Sequence, residues 1–495
     1  MAGGLVALAL VVRPSVGSVP DVAGRPGERI ELDGPAAAAT VDPTPVLATT
    51  GGSLSSTEVS IAGRYESAAP QRVLDSRRQA GGTLIPDRPV SLPLADRIPA
   101  DAIAVVLNVT VVGAATPGYV TVWPGGTRPE VSTVNADHAG QVVANLATVP
   151  VADGGVQLVA SMSTDLVVDL VGWYRLAEPR FVSAGRFVPI SPRRAVDTRS
   201  GAPLGPGATM EIDVGSAGVP ATASAAVLNV TVTDASGPGY WTAWPGGSRP
   251  DTSSVNVEVA GQTIANEVFV GLPSDGASSI EVFASSGGHL LVDVVGYFTG
   301  PADLPSTAGL FVPTTPYRLL DTRATGRVEG DRWLPVGAST HVEALVANLT
   351  MTDAAGPGWV SAWSGEGDWP GVSSVNTSAS GQTIANHAVL PANVGRSKLR
   401  VEGATHLLVD VVGYFTDATV ATYPTADQVP GADGPAPDAA QPSSVAPYVL
   451  MGARSDLLPI RWNPCVPIDV LVNEGPGTQP GSRAVLDEVL AEASR

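Results

Sequence analysis

Between residues 63 and 416 the chain alternates short apolar runs with clusters of Gly, Pro, Ser and Asp, and inside the runs the apolar positions recur with period two. In the middle of this region, 210–214, 226–233, 240–244, 254–257, 264–272, 280–283 and 290–298 read as strands bounded by turn residues. No stretch there has helical spacing. Seven or eight short strands in about 120 residues predict an all-β fold, a Greek-key β-sandwich with a small barrel as the alternative. Elsewhere the pattern changes. Residues 19–62, rich in Ala, Pro, Gly, Ser and Thr, read as a flexible leader, and 417–446, with Pro424, Pro430, Pro435, Pro437 and Pro442, as a Pro/Ala-rich linker. Beyond the linker, 468–473 predicts a strand entered through the turn Pro464-Cys465-Val466-Pro467. From Ser482, a fitting N-cap, Val485, Leu486, Val489 and Leu490 share one helical face. One strand and one helix do not make a domain, so 447–495 is expected to be the truncated α/β start of one, within a longer protein.

The strand pattern repeats at long period. Arg72-Val73-Leu74-Asp75-Ser76-Arg77 returns as Arg194-Ala195-Val196-Asp197-Thr198-Arg199 and as Arg318-Leu319-Leu320-Asp321-Thr322-Arg323. Each copy is followed by Asn-x-Thr (Asn108, Asn229, Asn348), a Pro-Gly-aromatic turn, a tryptophan (Trp123, Trp244, Trp363) and Gly-Gln-x-x-Ala-Asn ending at Asn145, Asn266 and Asn386. Each copy closes on Val-Asp-x-Val-Gly-aromatic-aromatic, with Asp169, Asp293 and Asp410. Three repeats follow, at 63–178, 179–300 and 301–416. A unit of about 120 residues is large enough to be a domain, so the expectation is three monomeric beads on a string.

Composition narrows the partners. Asp plus Glu number 47 against 28 Lys plus Arg, a formal charge of −19, and Lys398 is the single lysine. Nucleic-acid binding is excluded on that count, for want of a basic stripe to neutralise phosphates. Cys465 is the one cysteine, which rules out an internal disulfide or a Cys-rich zinc site. The apolar run 5–12, followed by Arg13 and the small residues Val16-Gly17-Ser18, makes 1–18 a candidate secretory signal peptide, although a basic n-region is missing. The run is too short to span a bilayer. No histidine recurs at an equivalent position in all three repeats, and none belongs to an HExxH motif. No catalytic residue or metal ligand is assigned.

Taken together, Leu-Asp-Thr-Arg, Asn-Val-Thr, Pro-Gly-Tyr, Trp-Pro, Gly-Gln-x-x-Ala-Asn and Val-Asp-Val-x-Gly-Tyr-Phe resemble a repeat module of secreted actinobacterial proteins. The resemblance implies a secreted or cell-envelope location beside a hydrolase. Ile460-Arg461-Trp462-Asn463-Pro464-Cys465, with Pro467-Ile468 and Val472-Asn473, looks like the beginning of a matrixin-like metalloprotease domain of the metzincin type. Zinc is expected only if the catalytic part of such a domain follows residue 495.

Three sets of residues are candidates for a site or for structure. The Asp-x-Arg pairs (Asp75 and Arg77, Asp197 and Arg199, Asp321 and Arg323) are either an acidic ligand site or structural. As structure, Arg77, Arg199 and Arg323 are expected to pair with Asp169, Asp293 and Asp410, because a carboxylate in a Val-rich strand needs a partner. Asp293→Ala is then expected to destabilise repeat 2 alone. Asn108, Asn229 and Asn348, in sequons with apolar flanks, are expected to bond neighbouring backbone, as are Asn145, Asn266 and Asn386. Tyr119, Thr121 and Trp123 share one strand face, as do Tyr240, Thr242 and Trp244, and Trp359, Ser361 and Trp363. If exposed, these faces stack on sugar rings; if inward, they are core. The expected function is a non-catalytic extracellular or envelope repeat region serving adhesion, spacing or binding of cell-wall glycan or another surface polymer. The alternatives are the N-terminal part of a secreted zinc metalloendopeptidase, and a purely structural surface protein.

Overall fold

The structure is a computed structural model that describes residues 10–13, 62–78, 82–177, 181–273, 276–336, 342–417 and 469–472. It divides into two units. In the first, β1 (Leu10–Arg13) pairs antiparallel with β25 (Asp469–Val472), which falls inside the strand expected at 468–473. The rest of the candidate signal peptide, almost all of the leader and linker, Cys465 and the expected helix after Ser482 lie outside the described residues.

The second unit holds the three repeats. Repeat 1 comprises β2 (Gly63–Asp75), β3 (Val90–Pro93), β4 (Ala102–Val112), β5 (Gly118–Trp123), β6 (Val134–Ala136), β7 (Val142–Pro150), β8 (Gly155–Ala160) and β9 (Asp165–Leu176). Repeat 2 comprises β10 (Phe187–Asp197), β11 (Thr209–Asp213), β12 (Ala225–Thr233), β13 (Gly239–Trp244), β14 (Val255–Val257), β15 (Ile264–Gly271), β16 (Ser279–Ala284) and β17 (His289–Phe298). Repeat 3 comprises β18 (Phe311–Asp321), β19 (Val328–Pro335), β20 (Val342–Thr352), β21 (Gly358–Trp363), β22 (Val375–Thr377), β23 (Ile384–Pro391) and β24 (Arg396–Thr416), whose β24 runs on through the last two strand positions.

Each repeat is a sandwich of two antiparallel sheets. In repeat 1 the inner sheet has the order β2-β9-β4-β7 and the outer β3-β8-β5-β6, an eight-stranded double Greek key, or jelly roll. Repeats 2 and 3 keep the same order. Of the strands observed in repeat 2, the one not expected is β10. It carries Pro189 and Pro192, which an edge strand tolerates, and its ladder shifts register between Pro189 and Arg193.

Side-chain alternation places Val120 and Val122, Trp241 and Ala243, and Val360 and Ala362 in the sandwich cores. Within the inner sheets, the strands β4, β12 and β20 are buried on both faces. Leu228, Val230 and Val232 face their own sandwich, while Ala225 and Val227 join a second core made between repeats. That double burial explains why 104–111, 225–232 and 344–351 read as continuous apolar runs rather than alternating ones.

Six buried rings form the centre of this second core: Tyr65, Tyr174, Phe187, Phe298, Phe311 and Phe415. They stack in cross-repeat pairs, Tyr65 on Phe298 at 4.3 Å, Phe187 on Phe415 at 4.4 Å and Phe311 on Tyr174 at 4.3 Å between centroids. The pairing runs from repeat 1 to 2, 2 to 3 and 3 to 1, so the three repeats close a ring about a pseudo-threefold axis. Glycine makes room for the rings. A Cβ at Gly296 or Gly413 would sit 2.5 Å from the ring of Phe187 or Phe311, which accounts for the Gly-aromatic-aromatic signature. The backbone closes the ring as well. Tyr65 N donates to Gly185 O at 2.8 Å, Phe187 N to Gly309 O at 2.7 Å, and β18 meets β2 at Phe311 and Gly63.

The expectation of beads on a string is therefore corrected: the apolar faces of the inner sheets are covered by the neighbouring repeats, not by solvent. It follows that the repeats unfold together. Scanning calorimetry of the chain is expected to show one endotherm for 62–417 with calorimetric and van't Hoff enthalpies in agreement, and Asp293→Ala is expected to shift that whole endotherm. Three separable transitions, or a shift confined to one, would contradict the shared core.

Candidate functional site

The recurring polar residues converge on the ring. At the boundary of repeats 1 and 2, Asn108 Nδ2 donates to Ser253 O at 2.6 Å. Asn266 Nδ2 donates to Asn108 Oδ1 at 3.0 Å and to Ser254 O at 2.7 Å, and Asn266 Oδ1 accepts from Leu146 N at 3.1 Å. The same four bonds recur at the 2–3 boundary through Asn229 and Asn386, to Ser373 O, Asn229 Oδ1 and Ser374 O and from Glu267 N. They recur at the 3–1 boundary through Asn348 and Asn145, to Ser132 O, Asn348 Oδ1 and Thr133 O and from His387 N. All six asparagines are buried. The expected role, bonding to neighbouring backbone, is met, but much of that backbone belongs to the next repeat. The sequon asparagines are enclosed and unavailable to a glycan.

The same inner strands carry a polar row. Asp169 stands in register between Arg72 and Asn108, Asp293 between Arg194 and Asn229, and Asp410 between Arg318 and Asn348. The carboxylates are buried and bound bidentately: Arg72 at 2.9 and 3.3 Å, Arg194 at 2.8 and 3.0 Å, Arg318 at 2.8 and 3.0 Å. This corrects the expected partners. Arg77, Arg199 and Arg323 instead bond Asp75, Asp197 and Asp321, two residues away. A strand pairs residues opposite one another in the ladder, and the residues opposite Asp169, Asp293 and Asp410 are the first arginines of the signature. The hydroxyls between are used too: Ser76, Thr198 and Thr322 accept from Leu166 N, Leu290 N and Leu407 N.

At the next position on the edge strands the symmetry breaks, with Leu146, Glu267 and His387. His387 Nδ1 and Glu267 Oε2 are 2.5 Å apart, His387 Nε2 and Thr148 Oγ1 3.0 Å, and Glu267 Oε1 accepts from Val389 N at 3.0 Å. Each repeat supplies one member of this buried chain. It has the order hydroxyl, imidazole, carboxylate, but all three are sealed from solvent. Among the described residues no group of three His, Cys, Asp or Glu is placed to hold a metal ion, and no helix is long and apolar enough to cross a membrane.

The aromatic faces turn outward from the sandwich and are mostly roofed. The loop after each tryptophan folds back over the strand. Trp123 Nε1 donates to Gly126 O and Thr121 Oγ1 to Val131 O; Trp244 Nε1 donates to Gly247 O and Thr242 Oγ1 to Thr252 O. Trp123, Trp244 and Trp363 are buried, as are Thr121, Thr242 and Ser361, while Tyr119, Tyr240 and Trp359 keep part of their surface. A continuous three-rung sugar platform is thus not formed in any repeat. Between repeats 1 and 2 a cleft of about 470 Å³ is lined by Arg72, Asp75, Arg78 and Asp251, two charges of each sign.

No protein-family model matches the chain, and a search of curated proteins found no match.

Two outcomes test these roles. Asn229→Ala removes the donor to Ser373 O and the acceptor of Asn386; two buried groups left unpaired cost about 2–6 kcal/mol, read by urea unfolding, and a loss below about 0.5 kcal/mol would refute the hub. The second concerns acid. Arg199 holds Asp197 far below its ordinary value, and Arg323 holds Asp321 down to about 2 from an ordinary 3.8. A depressed folded value stabilises above the unfolded one and is lost as pH falls through the folded one. Burial instead raises Asp169, Asp293 and Asp410, against the arginines that bind them, and stability from that source is lost as pH rises. The melting temperature is therefore expected to fall between about pH 3.8 and pH 2 less steeply in Asp321→Asn than in the parent chain.

Proposed function

We propose that this chain is the non-catalytic repeat region of a secreted or cell-envelope protein, and that it acts in adhesion to a surface glycan or polymer. The observation that carries the reading is the use of the repeated polar signature. The Arg-Asp rows, the Asp-x-Arg staples and the six asparagines all hold the ring together, so the chemistry that recurs is architectural, and what remains for partners is the three outer sheets. The resemblance to a repeat module of secreted actinobacterial proteins supports the location. Adhesion is favoured over spacing because Gly63 and Phe415 both stand opposite Phe311, which brings the beginning and end of the ring together. A module whose ends meet adds little length between its neighbours.

A second reading rests on the stretch from Ile460 to Asn473: the repeats would deliver a matrixin-like zinc peptidase to its substrate. It requires a continuing frame with His-Glu-x-x-His-x-x-Gly-x-x-His beyond residue 495. The first reading is tested with the fluorescently labelled chain and washed actinobacterial cells. Saturable co-sedimentation without cleavage of casein is expected, and failure to sediment would remove the adhesive role.

A further inference from the structure

The three outer sheets share a backbone but not a surface. Cross-strand register identifies equivalent positions: Trp123, Trp244 and Trp363 stand opposite Gln157, Glu281 and Lys398, which stand opposite Ser91, Glu211 and Trp333. Two residues to either side, on the same strand face, lie Gly155 and Val159 in repeat 1, Ser279 and Phe283 in repeat 2, and Arg396 and Arg400 in repeat 3. Repeat 1 is neutral there, repeat 2 acidic with one ring, and repeat 3 has three cations in a row beside tryptophans. The fold is completed without that set in repeats 1 and 2, so packing does not require it.

In repeat 3 the cations and rings form one face. Arg396 Cζ lies 4.3 Å from the Trp333 ring centre, and Lys398 Nζ lies 5.6 Å from Trp333 and 5.3 Å from Trp363. Trp369, from the roofing loop, stacks on Trp359 at 4.9 Å and 9°, with Arg400 Cζ 5.1 Å from its centre. Trp333 is 44% exposed and Trp369 37%. Among the described residues, the carboxylate within ion-pair reach of these cations is Asp331, 3.1 Å from Lys398 and 3.7 Å from Arg400. Asp331 pairs with Lys398 and Arg400, and Glu402 ends the row opposite Trp359; among the described residues no carboxylate pairs with Arg396, which leaves a cation over the exposed Trp333.

We infer that this face of repeat 3 binds an acidic polysaccharide, which names the partner class of the adhesive reading above and rests on it. A uronic-acid unit offers an apolar C–H face for Trp333, a carboxylate for Arg396 or Arg400, and hydroxyls that donate to Asp331. A polynucleotide fits less well. Its phosphates, like a uronate, meet Asp331 and the neighbouring Glu366, but a DNA strand lacks the row of hydroxyls that could donate to them.

The test is affinity electrophoresis of the full chain through gels containing polygalacturonate, dextran, poly-L-glutamate or oligo-dT. Retardation by polygalacturonate is expected to exceed that by each of the others at least about tenfold in apparent affinity, and to fall about tenfold in Trp333→Ala and in Lys398→Gln/Arg400→Gln. Glu211→Ala, at the equivalent place in repeat 2, is expected to leave it unchanged, and unaltered melting shows that the variants fold. No retardation by polygalacturonate, equal retardation by any of the other polymers, or full retardation of folded Trp333→Ala overturns the inference. If the variants still co-sediment with cells, the adhesive role stands while this assignment fails; if the parent chain does not sediment, the broader reading fails first.

Discussion

The structure depends on a buried side-chain amide that has to be satisfied from two repeats at once. Asn145, Asn266 and Asn386 each give one hydrogen to their own repeat's backbone and the other to an asparagine across the boundary, while their carbonyls take a backbone N–H from that same neighbour; Asn108, Asn229 and Asn348 in turn donate to the next repeat's backbone. A slip of one residue between repeats would strand these groups at about 1–3 kcal/mol each, three times around the ring. The six stacked rings and the aliphatic side chains around them bury apolar surface between the repeats, but stacking tolerates sliding and fixes no register. Affinity and register thus come from different residue classes.

Closure has a second consequence for the sequence. Once three copies share one axis, the positions nearest it meet their counterparts, and an acid–base pair there can form only if the copies differ. Leu146, Glu267 and His387 have done so, giving one buried chain through Thr148 where three identical residues would give either three charges or none. The outer sheets have diverged too, in the opposite direction from the axis. In repeat 2 Arg249 lies over Phe283, and in repeat 3 Trp369 lies over Arg400, so cation and ring have exchanged places between loop and strand while the clamp on the roofing loop persists.

Much of the single repeat was legible in the chain. Period-two patterning and turn residues located nearly every strand of repeat 2, and they support the all-β sandwich. The assembly was not legible, because a covered inner sheet and a solvated one differ only in whether alternation is lost, and the runs around Asn108, Asn229 and Asn348 could be read simply as strong strands. The signal was present: an asparagine held at one place in three unbroken apolar runs needs a partner, and nothing nearby in sequence supplies one. The arginine partners were misread for a related reason. Asp75 and Arg77 look like halves of separate pairs until the ladder shows that Arg72, not Arg77, stands opposite Asp169. The aromatic faces were left open between core and surface, and the structure gives a third answer: they point away from the core and are covered by their own loops.

The meeting of the two ends at Phe311 also sets how the ring bears load. Tension applied through the flanking chain would act on Gly63 and Phe415, at the free ends of their ladders, and would open β2 from β9 one bond at a time instead of shearing many together. The asparagine hub and the aromatic centre lie off that path. A body expected to melt as one cooperative whole would therefore yield to pulling by unzipping from its edge rather than breaking all at once.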